Sequence, residues 1–288
     1  MSVDGPGVSP VGRYPPSAPE RDLGRARIPG GEPGLGFFGS VGAVTIFTWV
    51  GLRQIPKARP FAAEIIRQAA IIATGSVLVI MGIAFLAGGS CGLESTALAR
   101  SFGVDPVAGG FSTWCTMREV VPFVFGYILA AKVGCGIVAE LGAMQVAEEV
   151  DALDVMAVPS IPYLVSTRMV ASAIVLPIAY TLAIASSYLA AFLMSVYRFG
   201  DVSPGTWKLF FYNFQDPVDL LYSFTKGMTI TAFVIAVALF FGYRVRGGPI
   251  EVGTATARSM AINIIGVTAI SMFGTLIFWG ANPRIPLG

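Results

Sequence analysis

Five long apolar runs dominate the chain, near residues 68–90, 107–131, 164–197, 218–243 and 259–280. Each carries so few charges that a helix crossing a bilayer is the expected structure, since roughly 20 apolar residues suffice for one crossing. The third run exceeds that length and is predicted to be tilted, broken or extended beyond the bilayer. All five are rich in Gly, Ala and Ser, the residues that let membrane helices approach closely. Between the second and third runs lies a different material. From Glu140 to Val158, the apolar residues Val146, Val150, Leu153 and Ala157 recur at helical spacing, while Glu148, Glu149, Asp151 and Asp154 crowd the remaining faces. The pattern predicts a short acidic amphipathic helix over 140–158, stopped by Pro159 and Pro162.

A sixth apolar stretch, Gly34 to Leu52, is long enough to span, but its flanks argue otherwise. Arg13, Arg21, Arg25 and Arg27 precede it and Arg53, Lys57, Arg59 and Arg67 follow it, so a crossing would put one basic cluster outside. A helix over 34–58 lying in the cytoplasmic interface satisfies both clusters. With that helix flat, the N-terminus is cytoplasmic, the C-terminus is outside, and the loops after the second and fourth spans are cytoplasmic. Lys132, Arg168, Arg244, Arg246 and Arg258 then join the inner basic residues, against Arg100, Arg118, Arg198, Lys208, Lys226 and Arg284 outside, an excess of about two to one. The acidic segment falls inside.

Composition agrees with the membrane reading. Of 288 residues 55% are hydrophobic and only 12% charged, about half the charge of a soluble domain. Residues 1–33 are dense in Pro, Gly and Arg and bury too little to fold alone, so a disordered basic cytoplasmic tail is expected, with residues 34–288 as one membrane domain. No apolar run follows Met1 closely enough for a cleaved leader. The tail adjoins a membrane and lacks interleaved aromatics, which favours anionic lipid headgroups over nucleic acid as its partner.

Histidine is absent, which removes the commonest general base and metal ligand. No Gly-rich phosphate cradle ending in Lys-Ser/Thr occurs, so nucleotide energy would have to come from another chain. Cys91, Cys115 and Cys135 show no metal-ligand spacing; they read first as small buried hydrophobes, although Cys91 and Cys115 could face the same outer side and bridge. Arg118 and Glu119 sit together in the outer part of the second span, where charge is costly. Lys226, with Asp216 and Asp219 two to three turns before it, reads as an interfacial ion pair. Trp114, Trp207 and Trp279 fit interfacial belts, and Phe85 and Leu86 are candidates for an apolar wall.

Three ordered stretches carry a resemblance: Thr116-Met-Arg-Glu-Val-Val-Pro122, Ala131-Lys-Val-Gly-Cys-Gly-Ile-Val-Ala-Glu-Leu-Gly-Ala-Met144 and Glu148-Glu-Val-Asp-Ala-Leu-Asp-Val-Met-Ala-Val158. With Arg168 ahead of the third span and Ala255-Thr-Ala-Arg-Ser259 ahead of the fifth, they resemble the MlaE/YrbE permease family. Val120-Val121 and Lys132 depart from the family's usual residues. The loop Gly248-Pro-Ile-Glu-Val-Gly253 and the tail Trp279-Gly-Ala-Asn-Pro-Arg284 look more like B-type YrbE chains of actinobacterial mammalian-cell-entry (Mce) systems.

The resemblance implies an all-α permease: an interfacial N-terminal helix, about five transmembrane helices, and a coupling helix at 140–158. It would be one subunit of an ABC-type lipid transporter in the plasma membrane, paired with an A-type permease chain as a heterodimer. A cytoplasmic ATPase dimer would hold the ATP and Mg, this chain having no cofactor and no catalytic residue of its own. MCE-domain proteins would deliver lipid outside, with import the favoured direction. Glu140, Met144, Glu148, Glu149, Asp151, Leu153, Asp154 and Met156 become candidates for ATPase coupling, Leu153 and Met156 as its apolar plug. Arg118, Glu119, Phe85 and Leu86 become candidates for the lipid path, with Arg118 contacting an anionic headgroup and Glu119 orienting it. A secondary lipid transporter, an intramembrane enzyme and a structural anchor for an MCE assembly are the competing classes; inverted repeats, acidic relays, or a nucleophile with its base would mark the first two.

Overall fold

The structure, a computed structural model, describes residues 37–198, 200 and 202–280. The N-terminal tail and Arg284 lie outside these. Among the described residues there are eight helices and no strand. Helix α1 is Phe37–Arg53. The five long helices are α2 (Ile55–Ser101), α3 (Asp105–Val146), α5 (Ile161–Arg198), α7 (Pro217–Tyr243) and α8 (Pro249–Trp279), each long and apolar enough to cross a membrane. Two short helices join them, α4 (Glu149–Val155) and α6 (Pro204–Asn213).

The spans begin and end away from the hydropathy limits for one reason. Hydropathy marks where lipid would end, whereas a helix continues as long as its polar residues find partners. At the start of α2, Glu64 accepts from Arg67 at 2.8 Å and from Gln68 at 2.8 Å, so the helix continues through a polar stretch. Helix α8 starts at Pro249, ten residues before the apolar run, because Pro suits a first helical turn and the Glu251 carboxylate accepts from the Gly248 N–H at 2.8 Å. The stretch Gly248–Gly253, expected as loop, therefore lies almost wholly in helix, and Ala255–Ser259, expected ahead of the fifth span, lies within the same helix. Pro162 likewise opens α5 rather than stopping the preceding helix. Helix α6 has no counterpart in the hydropathy pattern. Its Trp207 and Phe211 close a separate small core with Ala99, Ala108, Ala191 and Val196.

Small residues set the tightest contact. On α2, Ala84, Gly88 and Gly92 recur every fourth position against Ser187, Ala191 and Ser195 of α5. A Cβ at Gly88 would lie 2.2 Å from the Ser187 carbonyl oxygen, and one at Gly92 2.6 Å from that of Ala191. Only glycine permits this approach. Across the same seam Ser187 donates to Ala84 O at 2.8 Å and Ser195 to Gly92 O at 3.2 Å. The central core is Ile80, Phe125, Leu129, Tyr180 and Ile230, with the Tyr180 hydroxyl 2.7 Å from Ser223 Oγ.

Helix α1 lies across one end of the bundle. Phe47 meets Phe240 and Tyr243 at the end of α7, and Ser166 of α5 donates to Gly51 O at 2.8 Å. Trp49, 65% exposed, points away from the protein.

Candidate functional site

Two polar clusters stand near opposite ends of the spans. The first is built on an irregularity of α3. Residues Cys115–Val120 are wound as a π-helix, and Pro122 has no N–H to offer the Arg118 carbonyl four residues back. That carbonyl accepts instead from Lys226 Nζ of α7 at 2.8 Å. The Arg118 guanidinium pairs with Asp219 at 2.5 Å and lies over the rings of Trp114 and Trp279, 4.6 and 5.5 Å from their centroids. Trp279 donates to the second Asp219 oxygen at 2.9 Å. Glu119 pairs with Lys226 at 3.1 Å and accepts from Thr275, whose hydroxyl also takes a Lys226 proton at 2.7 Å.

The quartet of Arg118, Glu119, Asp219 and Lys226 thus locks α3, α7 and α8 together. Its charges cancel, which is how ions survive away from water. The expected partners are exchanged: Asp219 holds Arg118, Lys226 holds Glu119, and Asp216 caps α7 by accepting from the Val218 N–H at 2.9 Å. Side-chain exposure is 12% for Arg118, 1% for Asp219 and 0% for Lys226, but 49% for Glu119. The open group is therefore the Glu119 carboxylate, and Arg118 is oriented by Asp219. Trp207 and Trp279, expected in interfacial belts, are buried against the protein. Phe85 is half-buried and Leu86 is 70% exposed on α2.

Cys91 and Cys115 are joined in a disulfide, correcting their reading as separate small hydrophobes. The bridge ties α2 to the first residue of the π-helical turn that carries Arg118. Sequence could offer it only as an alternative, since the facing of two helices is a tertiary property.

The second cluster centres on Arg168, expected ahead of a span and found inside α5, 1% exposed. It donates to Glu140 at 2.7 Å and to Leu164 O at 2.9 Å. Gln68 of α2, also buried, reaches Glu64 at 2.8 Å and Glu140 at 3.4 Å. Three spans are clipped together. The Glu140 carboxylate is paired with Arg168, and Met144 packs partly against the core.

The acidic knob is shorter than the pattern suggests. The helix does not run over 140–158: α3 ends at Val146, Glu148 turns the chain with φ 58°, α4 occupies Glu149–Val155, and Ala157 turns it again with φ 60°. Two non-glycine residues in the left-handed region persist only where their surroundings hold them. Here Gln145 donates to Tyr243 O at 2.8 Å before the knob, and Ser160 Oγ meets the Tyr243 hydroxyl at 3.0 Å after it. Val150 is buried, and Leu153 is partly buried with its side chain packed against the core. Glu148, Glu149, Asp151 and Asp154 face outward, together with Val155 at 87% and Met156 at 65% exposure. The result is an apolar tip ringed by acid and held at both sides to the end of α7.

A bundle of five spanning helices with charge networks near both ends and a projecting knob defines the class, a multi-pass membrane transport subunit. Residues 65–277 match the family described as Permease MlaE, and the chain belongs to that family. It is 26% identical over 250 residues to a probable ABC transporter permease protein of Rickettsia prowazekii, covering 86% of this chain and 96% of that protein. Against the intermembrane phospholipid transport system permease protein MlaE of Haemophilus influenzae the identity is 24% over 252 residues, 88% of this chain and 97% of that protein. A chloroplastic protein of Arabidopsis thaliana, trigalactosyldiacylglycerol 1, is 26% identical over 216 residues, 68% of this chain and 59% of that protein. These relatives include proteins named as permeases, membrane subunits of transporters rather than enzymes.

Proposed function

We propose that this chain is the permease subunit of an ATP-driven lipid transporter, working in a pair of permease chains on a cytoplasmic ATPase dimer that holds the ATP and Mg. The observation that carries this is the α4 knob. Its exposed Val155 and Met156, ringed by Glu148, Glu149, Asp151 and Asp154, offer a plug for a cleft in a motor protein, and the Tyr243 contacts deliver any tilt of the knob to α7. The quartet at the far end of α7 is where the lipid headgroup is engaged. Glu119, the half-open member, is the one a headgroup can displace from Lys226. The named phospholipid function of the Haemophilus influenzae relative supports a lipid as cargo.

The disulfide supports one orientation. Disulfides persist in oxidising compartments, so the Cys91–Cys115 end lies outside the plasma membrane and the knob inside. This agrees with the basic residues near α1, which lies flat on the inner surface, with the N-terminus inside and the C-terminus outside. An A-type permease partner, MCE-domain proteins on the outer side and import as the direction complete the reading. The test is lipid movement in vesicles holding the permease pair, with and without the ATPase chains. Movement that needs both the ATPase and ATP is expected; movement driven by an ion gradient alone would overturn the reading in favour of a secondary transporter, and none at all would favour an anchor.

A further inference from the structure

Among the described residues Lys132, a cation within the long apolar helix α3, has no counter-charge. Charge counting puts it at the cytoplasmic edge because the second apolar run ends at residue 131. The structure puts it within the α3 span, on a second π-helical turn, Leu129–Gly134. At 1.5 Å per residue, Arg118 and Glu140 stand about 33 Å apart along α3, close to the roughly 30 Å of a hydrocarbon core. Lys132 lies about 12 Å from the Glu140 level, well inside. It is exposed, and among the described residues it has neither an ion pair nor a hydrogen bond.

The side chain lines a groove of about 370 Å³ bounded by Val79 and Ile83 of α2, Tyr127 and Ile128 of α3, and Met260 of α8. Its wall is apolar apart from this one charge. Toward the quartet, polar groups mark the same α3–α8 seam: Tyr127 OH lies 2.7 Å from Thr268 Oγ1, and beyond it stand Ser271, Thr275 and the half-open Glu119. An apolar trough with one cation at its floor and hydroxyls above it is complementary to an anionic amphiphile.

We infer that Lys132 is an anion subsite for a lipid, binding its phosphate or carboxylate while an acyl chain lies against Val79, Ile83, Ile128 and Met260, one station inward of the Arg118 quartet. The inference rests on the lipid-transport reading.

Native mass spectrometry of the full permease–ATPase complex tests it, loaded in detergent with dioleoylphosphatidylglycerol or with dioleoylglycerol, which has the same chains and no phosphate. The phospholipid should be retained about tenfold better than the diacylglycerol. Lys132→Met should erase that difference and Lys132→Arg restore it, while inorganic phosphate should not displace the lipid. If Lys132→Met fails to fold, Ala131→Trp, which fills the groove and leaves the lysine, should give the same loss. Retention indifferent to both substitutions would overturn the site. Displacement by inorganic phosphate would reassign it to a free anion, and separation of the permease chains in Lys132→Met would reassign the counter-charge to the second chain; either result overturns the lipid subsite. Wild-type lipid movement with retention indifferent to residue 132 would sink the site alone. Retention that depends on Lys132 without any ATP-driven movement would sink the transport reading and leave the site.

Discussion

Arg118 and Asp219, 101 positions apart in the chain, meet at 2.5 Å with Asp219 1% exposed, so each is the other's reason for being tolerated where it lies. The Trp279 N–H and the two flanking indole rings complete the enclosure.

Asp219→Asn should therefore leave the guanidinium unpaired and cost about 3–5 kcal/mol, read as a lowered unfolding temperature of the purified protein. Adding Arg118→Gln should recover part of that loss. Glu119→Gln should disturb stability less, because that carboxylate is half-exposed, yet it should depress lipid movement more than it depresses the unfolding temperature. Equal losses in both measurements would show that Glu119 is only structural.

Glu149→Lys combined with Asp151→Lys should release the ATPase from the purified complex while leaving the permease pair intact. Met156→Asp should do the same through the apolar tip, whereas Leu153→Asp should damage folding, since Leu153 packs inward. Unchanged ATPase co-purification in the first two variants would remove the knob from the docking surface.

Gly88→Val should prevent the α2–α5 contact, because the new Cβ would overlap the Ser187 backbone. Overpacking of a close contact costs about 1–3 kcal/mol and here falls on backbone that cannot yield, so loss of folded protein in gel filtration is expected. Gly75→Ala on the same helix, with nothing within 4 Å, is the matched control and should fold as the wild type does.

Reduction of Cys91–Cys115 removes a bridge closing 24 residues, worth about 3 kcal/mol in the loop-entropy account. A thiol reagent that cannot cross membranes should label these cysteines in whole cells only after reduction. Labelling without reduction would deny the bridge, and labelling confined to broken cells would reverse the orientation.

The chain's pattern was sufficient for the class of fold. Hydropathy alone defines five crossings, because lipid demands about 20 apolar residues wherever a helix passes, and that demand is local. The acidic character of residues 148–154, the missing histidine and the paired charges at Arg118 and Glu119 were legible for the same reason. Even the seven-residue spacing of Asp219 and Lys226 placed them on one helix face.

What the pattern could not supply was which charge faces which. Asp219 turned out to belong to Arg118 and Lys226 to Glu119, Leu153 pointed in while Val155 pointed out, and Cys91 found Cys115 across two helices. Lys132, one residue past the second apolar run, falls within the long helix α3 because helices outlast their apolar runs. Sequence by itself determined where lipid must be, since that depends on the summed polarity of neighbours in the chain. Only the tertiary structure decided the pairings, since these depend on helix rotation, and rotation is set here by glycine contacts, π-helical turns and the breaks at Glu148 and Ala157, whose effects are felt across the bundle.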